Sequence, residues 1–195
     1  MSKPYIPNDK LSQKARKENY RARSVYKLME LDHKFHLIKP KTKVLDLAAA
    51  PGSWSQYCSE KIGDTGHVLG LDLQEIKYIA PNVTTALCDI TYESRVGEQI
   101  KKLGWDKVDL ILSDIAPSTT GIPNVDHGRS IELNTHIFEL SKLFLKPKGS
   151  LVMKVFDGED FTIFINMLKR YFSHVDRYKA KSSRERSKEI YVICS

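Results

Sequence analysis

The sequence predicts an α/β protein with a doubly wound, mostly parallel β-sheet and helices on both faces of that sheet. Short apolar runs, which indicate buried strands, alternate with amphipathic stretches of helical period. A loop of small residues, 46–54, joins the first apolar run to the helical stretch after it. Ligands of such sheets bind beyond the carboxyl ends of the strands, so this loop is the predicted start of the functional site.

Six segments have the composition of short strands. Most are apolar on both faces, as expected for a parallel sheet covered by helices, and the third is a weaker candidate. The six segments are 44–47, 68–71, 84–87, 108–112, 151–156 and 190–193.

Apolar side chains at helical spacing predict the helices between these strands. A helical pattern covers residues 20–35, and another helix is expected to begin after the loop at Trp54. Apolar stripes predict two more helices, over 133–144 and 161–172. The sequence Lys-Pro-Lys-Gly at 146–149 is expected to be the turn into the fifth strand.

The size and composition of the chain indicate one domain with a full hydrophobic core. It has 195 residues, of which 41% are hydrophobic. No apolar run reaches the roughly 18 residues of a membrane span, and the first residues lack the apolar core of a signal peptide. Cys58, Cys88 and Cys194 lie in apolar stretches without metal-ligand spacing. We expect a cytoplasmic monomer with buried free thiols, no membrane contact and no metal.

Positive charge is concentrated near both ends of the chain. The formal net charge is +7, and residues 1–43 alone hold twelve lysines and arginines against four acidic residues. This distribution predicts a polyanion-binding surface, with a merely solvated face as the alternative. We expect residues 1–19 to be a flexible basic segment and residues 20–195 to be a single domain. The second basic cluster consists of Arg177, Lys179, Lys181, Arg184, Arg186 and Lys188.

The loop after the first strand contains a single glycine, Gly52. A pyrophosphate-binding fingerprint needs three glycines, so the loop argues against a dinucleotide and for a cofactor that has adenosine but no phosphate. Acidic residues also follow the next strands at the same edge of the sheet. Asp72 is the expected acceptor for ribose hydroxyls, and Asp89 is placed to meet an adenine amino group.

Lys154 interrupts the apolar run Leu-Val-Met-Lys-Val-Phe of the fifth strand. Lysine is almost never fully buried unless it is paired. One interpretation is an edge-strand lysine that points to solvent. The other is a lysine directed into a cleft and paired with Asp114, which follows the fourth strand. A lysine held in this way can accept a proton or orient a hydroxyl group.

Several motifs, in the same order, make the chain similar to the FtsJ-type ribose 2′-O-methyltransferases, the heat-shock ribosomal RNA methyltransferase family. The resemblance runs from Tyr20 to the C-terminus. The matching segments are 21–28, 46–56, 113–117, 125–127, 154–158 and 182–191.

The resemblance implies a Rossmann-like class I methyltransferase fold with a seven-stranded sheet. It also implies S-adenosylmethionine as the methyl donor, a cofactor with adenosine and an amino-acid tail but no phosphate, in agreement with the one-glycine loop. The family's Lys-Asp-Lys-Glu tetrad falls on Lys27, Asp114, Lys154 and Glu189. Lys154 would act as general base or as the hydroxyl-orienting group, and the chemistry needs no metal.

The same resemblance assigns the binding residues. RNA contacts are expected from Arg21, Arg23, Tyr26, Arg184 and Arg186, and His127 is expected in a loop or on the substrate side. Tyr20, Tyr26 and Trp54 could stack on a base or simply pack their helices. The cofactor-binding positions are Asp46, Gly52, Ser53, Trp54, Asp72, Leu73, Asp89, Ile90 and Asp114.

The expected reaction is 2′-O-methylation of a ribose in RNA, with a uridine of large-subunit ribosomal RNA as the target. Segment 182–191 is similar to the ribosomal RNA enzymes, whereas Ser53, where those enzymes have glycine, is similar to transfer-RNA anticodon-loop methyltransferases. The transfer-RNA enzymes are therefore the alternative. Two other classes of protein are alternatives. A nicotinamide-dependent oxidoreductase is disfavoured by the single glycine of the loop. A non-catalytic RNA-binding or ribosome-assembly factor is disfavoured by the intact tetrad.

Overall fold

The computed structural model of the protein describes residues 9–184 and 187–195, which contain six helices and seven strands. The helices are α1 (Lys10–Lys17), α2 (Val25–Phe35), α3 (Ser53–Ile62), α4 (Glu93–Lys102), α5 (Pro123–Phe144) and α6 (Phe161–Leu168). The strands are β1 (Lys43–Leu47), β2 (His67–Asp72), β3 (Val83–Leu87), β4 (Val108–Ser113), β5 (Leu145–Phe156), β6 (Val175–Tyr178) and β7 (Glu189–Cys194).

The strands form one sheet in the order β3-β2-β1-β4-β5-β7-β6. Strands β1 to β5 are parallel to one another, and β7 completes the sheet by pairing antiparallel with both β5 and the edge strand β6. The strand order reverses between β1 and β4, and ligands of such sheets bind in the crevice outside the carboxyl ends at that point. The predicted doubly wound, mostly parallel seven-stranded sheet is confirmed.

Alternating side chains of the central strands build a separate hydrophobic core on each face of the sheet. Leu45 and Ile111 belong to the core that includes residues of α4, α5 and α6. Leu112 and Val152 belong to the core that includes residues of α2 and α3. Because side chains two residues apart share a face, Lys154 projects on the α2–α3 side, at the end of β5 where the loops meet.

Within segment 1–19, which the sequence predicted to be flexible, Lys10–Lys17 form helix α1, and residues 1–8 lie outside the described residues. The carboxylate of Asp9 caps the helix by accepting a hydrogen bond from the backbone N–H of Ser12 at 2.9 Å. Ala15 is buried in the core on the α2–α3 face. A short helix is marginal by itself, so the cap and this tertiary contact account for its formation.

The other elements differ from the prediction mainly at their boundaries. The predicted turn 146–149 is a bulge within β5, between the pairings of that strand with Val108 and Leu110. Strand β6 was not predicted, because it is a four-residue edge strand whose central residues are exposed. The helical pattern of 20–35 becomes a helix only at Val25, and α5 begins at Pro123, well before its apolar stripe.

None of the helices that the structure describes combines the length and the apolar character needed to cross a membrane. Cys58, Cys88 and Cys194 are free and buried. Within the described ranges, no three His, Cys, Asp or Glu side chains are grouped so that they could hold a metal ion.

Leu112→Ala should lower the free energy of unfolding by about 2–5 kcal/mol, because truncating a buried leucine loses apolar contact and leaves a cavity. Leu112 has no exposed surface in the central strand β4. Leu143 of α5 is the matched control, since its side chain is 45% exposed. Leu143→Ala should change stability by less than about 0.5 kcal/mol. Equal losses in denaturant unfolding of the two variants would contradict the described packing.

Candidate active site

Four charged side chains meet beyond the carboxyl ends of β4 and β5. Lys154 Nζ donates to the backbone carbonyl oxygen of Asp114 at 2.6 Å and lies 3.1 Å from the Oδ1 atom of Asp114. It also lies 3.8 Å from Glu189 Oε1. Lys27 reaches in from α2 and donates to Glu189 Oε2 at 2.9 Å. The structure therefore brings the four predicted catalytic residues into one network, and the Lys154–Asp114 pair is confirmed.

This charged network is buried. Lys154 is 5% exposed and Lys27 is 9% exposed, so both lysines depend on their carboxylate partners. Burial raises the pKa of Glu189, but Lys27 and Lys154 outweigh burial and hold that pKa below its ordinary value. Glu189 is thus a stable carboxylate that links the two lysines.

Tyr191 is a member of the network that the sequence did not reveal. Its hydroxyl group donates to Asp114 Oδ1 at 2.6 Å, and its side chain is fully buried. The pairing of β5 with β7 places Tyr191 opposite Lys154 and Glu189 opposite Phe156, which brings both β7 side chains to the same end of the sheet. Burial and the neighbouring Asp114 raise the pKa of Tyr191 well above its ordinary value, so the hydroxyl stays a hydrogen-bond donor.

The loop between β1 and α3 forms the floor of the adjoining crevice. Gly52 has a φ of +98°, and a Cβ atom added there would lie 2.8 Å from the Cδ1 atom of Ile79. A side chain at this position would therefore be strained and would clash. The N-cap residue Gly52 has no side chain to cap α3, and Asp46 takes the backbone N–H of Ser55, so the N–H groups at the very start of the helix are available to a carboxylate.

Two acidic residues hold this loop in place. Asp72 accepts hydrogen bonds from the backbone N–H groups of Ala50 and Gln74, both at 2.8 Å. Asp46 is 1% exposed and accepts from the Ser55 hydroxyl at 2.6 Å. The Asp46 carboxylate has no open surface toward a ligand. It therefore supports the loop from below, whereas the sequence predicted a cofactor-binding position.

The Asp46 carboxyl group has an unusually high pKa for an aspartate. Burial raises its pKa to about 7, and the negative charges of Asp114 and Asp72 act in the same direction. The hydrogen bond from Ser55 opposes this rise without cancelling it. A proton on Asp46 at neutral pH would reduce the repulsion among three neighbouring carboxylates.

The predicted adenosine-binding residues surround a second part of the crevice. Leu73 and Asp89 line one cleft of about 490 Å³, and Leu73 is 73% exposed. Asp89 Oδ1 accepts from the backbone N–H and the hydroxyl of Thr91. These hydrogen bonds lower the pKa of Asp89. Ile90 is 7% exposed and packs in the core, so it supports this cleft from behind.

Ser53 and Trp54 connect the loop to the chain before α2. The hydroxyl groups of Ser53 and Ser24 lie 2.9 Å apart, and Trp54 Nε1 donates to the carbonyl oxygen of Ser24 at 2.9 Å. Both side chains are buried, at 2% and 3% exposure. They serve packing of the loop, and the Trp54 ring has no free face for a base.

The Arg21 side chain lies against the loop between β1 and α3 and does not point away from the protein. Its guanidinium group donates to the backbone carbonyl oxygens of Pro51 at 3.1 Å and Lys77 at 2.9 Å, and also to that of Tyr78. It thereby joins the loop after β1 to the loop after β2. These contacts hold Arg21 against the two loops, and its predicted RNA contact stays a prediction.

A cavity of about 450 Å³ opens beside the charged network. Lys27 and Glu189 form its inner wall, and Arg23 and Arg184 lie at its rim. Arg23 donates to the Asp9 carboxylate and to the backbone carbonyl oxygen of Ser182. The position of these arginines fits the predicted RNA contacts.

Three other predicted site residues have different surroundings. Tyr26 is 7% exposed and its hydroxyl donates to Glu18 at 2.8 Å, which argues against stacking on a base. His127 lies on α5, where its Nε2 atom accepts from the backbone N–H of Asp160 and its Nδ1 atom bonds the carbonyl oxygen of Phe156. Because both ring nitrogens are engaged, His127 is a structural residue. Arg186 lies outside the described residues.

Asp46 binds its proton more tightly in the folded chain than in the unfolded chain, where an ordinary aspartate has a pKa of about 3.9. The stability from that proton is present below pH ~4 and is lost as the pH rises toward about 7. The wild type should therefore lose about 1–3 kcal/mol more unfolding free energy between pH 5 and pH 8 than Asp46→Asn, which cannot titrate. Urea unfolding of both proteins measures this difference, and equal pH dependence would exclude the raised pKa.

Comparisons with known proteins agree with this geometry. The sequence profile of the FtsJ-like methyltransferase family matches residues 20–195. A ribosomal RNA large subunit methyltransferase E from Methanobrevibacter smithii is 42% identical over 187 residues, which cover 95% of this chain and 89% of the relative. The enzyme of the same name from Bdellovibrio bacteriovorus is 40% identical over 190 residues, covering 97% and 96%.

A solved structure also matches the fold. The crystal structure of a ribosomal RNA methyltransferase from Plasmodium falciparum superposes with a TM-score of 0.80 at 30% sequence identity, covering 90% of this chain and 97% of that one. Both the sequence and the fold therefore point to one family, whose name implies a methyl donor. The chain belongs to the FtsJ-like methyltransferase family.

Proposed function

We propose that the protein transfers a methyl group from S-adenosylmethionine to the 2′-oxygen of a ribose in RNA. The observation that carries this proposal is the buried Lys154, which lies beside Asp114 and Glu189. Glu189 in turn lines a cavity that has arginines at its rim. A ribose hydroxyl needs such a polar group beside it, and its flanking phosphates need cations.

The residues of the crevice fit S-adenosylmethionine. The uncapped N-terminus of α3 suits the carboxylate of its amino-acid tail. The cleft at Leu73 and Asp89 suits adenosine, because it combines an exposed apolar side chain with a carboxylate that has one oxygen without a hydrogen bond from Thr91. Asp72 lies between the two at the end of β2, where a ribose is expected. When bound, the cofactor supplies an electrophilic methyl group on a sulfonium.

Lys154 is the residue that acts on the attacking hydroxyl. A neutral amine could take the hydroxyl proton, whereas an ammonium group would hold the oxygen in line with the methyl group. Lys154 Nζ donates to the carbonyl oxygen of Asp114 and lies beside two carboxylates, and this fixed position supports the orienting role. Asp114 and Tyr191 fix the direction of the Lys154 side chain, and Lys27 fixes Glu189.

Large-subunit ribosomal RNA, at a uridine, is the proposed substrate. Relatives named ribosomal RNA large subunit methyltransferase E are about 40% identical over nearly the whole chain. Ser53, the residue similar to the transfer-RNA enzymes, bonds Ser24 in a buried contact and does not line the cavity. Its presence therefore gives little support to a transfer-RNA substrate. Action as a monomer in the cytoplasm belongs to the same proposal.

Lys154→Ala should lower kcat for RNA methylation by at least about 10²-fold, because the hydroxyl loses its orienting group. Incorporation of labelled methyl groups into ribosomal RNA measures the rate. Lys101→Ala is the matched control, since Lys101 is an exposed lysine at the end of α4. If the Lys154→Ala variant binds S-adenosylmethionine normally and still methylates RNA at the rate of the control, that result refutes the role of Lys154 in orienting the hydroxyl group.

Arg21→Ala should weaken S-adenosylmethionine binding about tenfold and leave RNA affinity nearly unchanged, because the two loops around the cofactor lose their charged tie. Arg21→Lys should rescue little, since one ammonium group does not reproduce the planar fork of the guanidinium. Arg23→Ala is the matched control and should show the reverse, with weaker RNA binding and unchanged cofactor binding. Calorimetry with cofactor and RNA separates the two patterns, and a loss confined to RNA in Arg21→Ala would contradict the assignment.

A further inference from the structure

The amino ends of the parallel strands carry a positively charged surface that the proposed reaction does not use. Two adjoining clefts, of about 560 and 620 Å³, lie between the segment before β1, the bulge of β5 and the end of β7. We call their lysines the basal lysine surface. It consists of Lys39, Lys41, Lys107, Lys142, Lys146 and Lys148.

Little negative charge opposes this surface. Asp109 is the one acidic side chain among the lining residues, and it pairs with Lys146 at 2.6 Å. Lys142 pairs with Glu139 of its own helix. Counting Asp109 and Glu139 against the six lysines leaves four positive charges. Such a concentration of like charge repels itself and attracts a polyanion.

Four of the six lysines have no carboxylate partner among the described residues, and Lys107, one of the four, donates to the backbone carbonyl oxygen of Leu143. Lys39, Lys41 and Lys148 are exposed, and none forms an ion pair with any residue that the structure describes. Lysines at the C-terminal ends of helices often serve the helix dipole. These three lie in loops or in the bulge of β5, so the dipole does not account for them.

The backbone at this surface gives a second, independent indication. Lys41 has a φ of +67° and Lys148 a φ of +66°, both in the left-handed region where glycine or asparagine is favoured. Glycine would fill these positions with less strain. Residues held in such a conformation point to a role for the side chain itself.

We propose that the basal lysine surface is a second RNA-binding surface, which contacts backbone phosphates at the end of the domain opposite the acceptor cavity. The proposal rests on the proposed function, because a ribose methyltransferase must already hold RNA at its active site. The six residues of β4 separate the two ends by about 20 Å. A short single-stranded RNA bound in the cavity does not reach around the domain to the opposite end. A folded RNA can contact both ends.

The triple variant Lys39→Gln, Lys41→Gln, Lys148→Gln tests this surface. Each lost phosphate contact should lower the slope of log affinity against log salt by about 0.7–0.9. The variant should therefore bind a folded ribosomal RNA domain at least about tenfold more weakly at physiological salt, with a slope lower by about 2–3. Affinity for a single-stranded RNA of about ten nucleotides, and for S-adenosylmethionine, should not change.

The matched control removes the same number of charges from exposed lysines that line neither cleft, with Lys77→Gln, Lys101→Gln and Lys102→Gln. It should bind the folded RNA like the wild type. An unchanged salt slope in the basal variant, as expected if this surface binds a protein, would overturn the proposal, and so would an equal loss in the control. Methylation of the same RNA by the wild type tests the proposed function separately, since binding is measured without turnover.

Discussion

The structure depends on one buried network of alternating charges. Lys27, Glu189, Lys154 and Asp114 come from four distant parts of the chain, and each lysine lies beside a carboxylate. Removing one member would leave a buried charge without its partner, which is costly in a protein interior. The order of β4, β5 and β7 in the sheet places three of these residues side by side, so the topology itself assembles the site.

The segment just before α2 joins the two halves of the site. Arg21 binds the carbonyl groups around the cofactor loop, and Ser24 bonds Ser53 and Trp54 at the start of α3. Arg23, between them, faces the acceptor cavity. Neighbouring residues of this segment therefore contact both the loop after β1 and the cavity beside the charged network, so the segment connects the two parts of the site.

The sequence was sufficient to predict the sheet, the loop at its switch point and the pair of Lys154 with Asp114, because each leaves a local signal, whereas Lys27 and Glu189 were predicted only through the family resemblance. Lys154, for example, breaks an apolar strand. Tyr191 leaves no such signal, since an aromatic residue in a strand is ordinary core and only the β5–β7 register brings it to Asp114. The sequence also could not show which way the Arg21 side chain turns, and it did not reveal the burial of Asp46 or the helix α1 because their surroundings are tertiary.

The central claim is that the buried lysine network serves methyl transfer to a ribose hydroxyl in RNA. Mass spectrometry of nucleosides from ribosomal RNA, after incubation with the protein and S-adenosylmethionine carrying a labelled methyl group, tests it most directly. The wild type should place label on the ribose 2′-oxygen, and Lys154→Ala should place at least about 10²-fold less. Label on a base, or equal ribose labelling by both proteins, would contradict it.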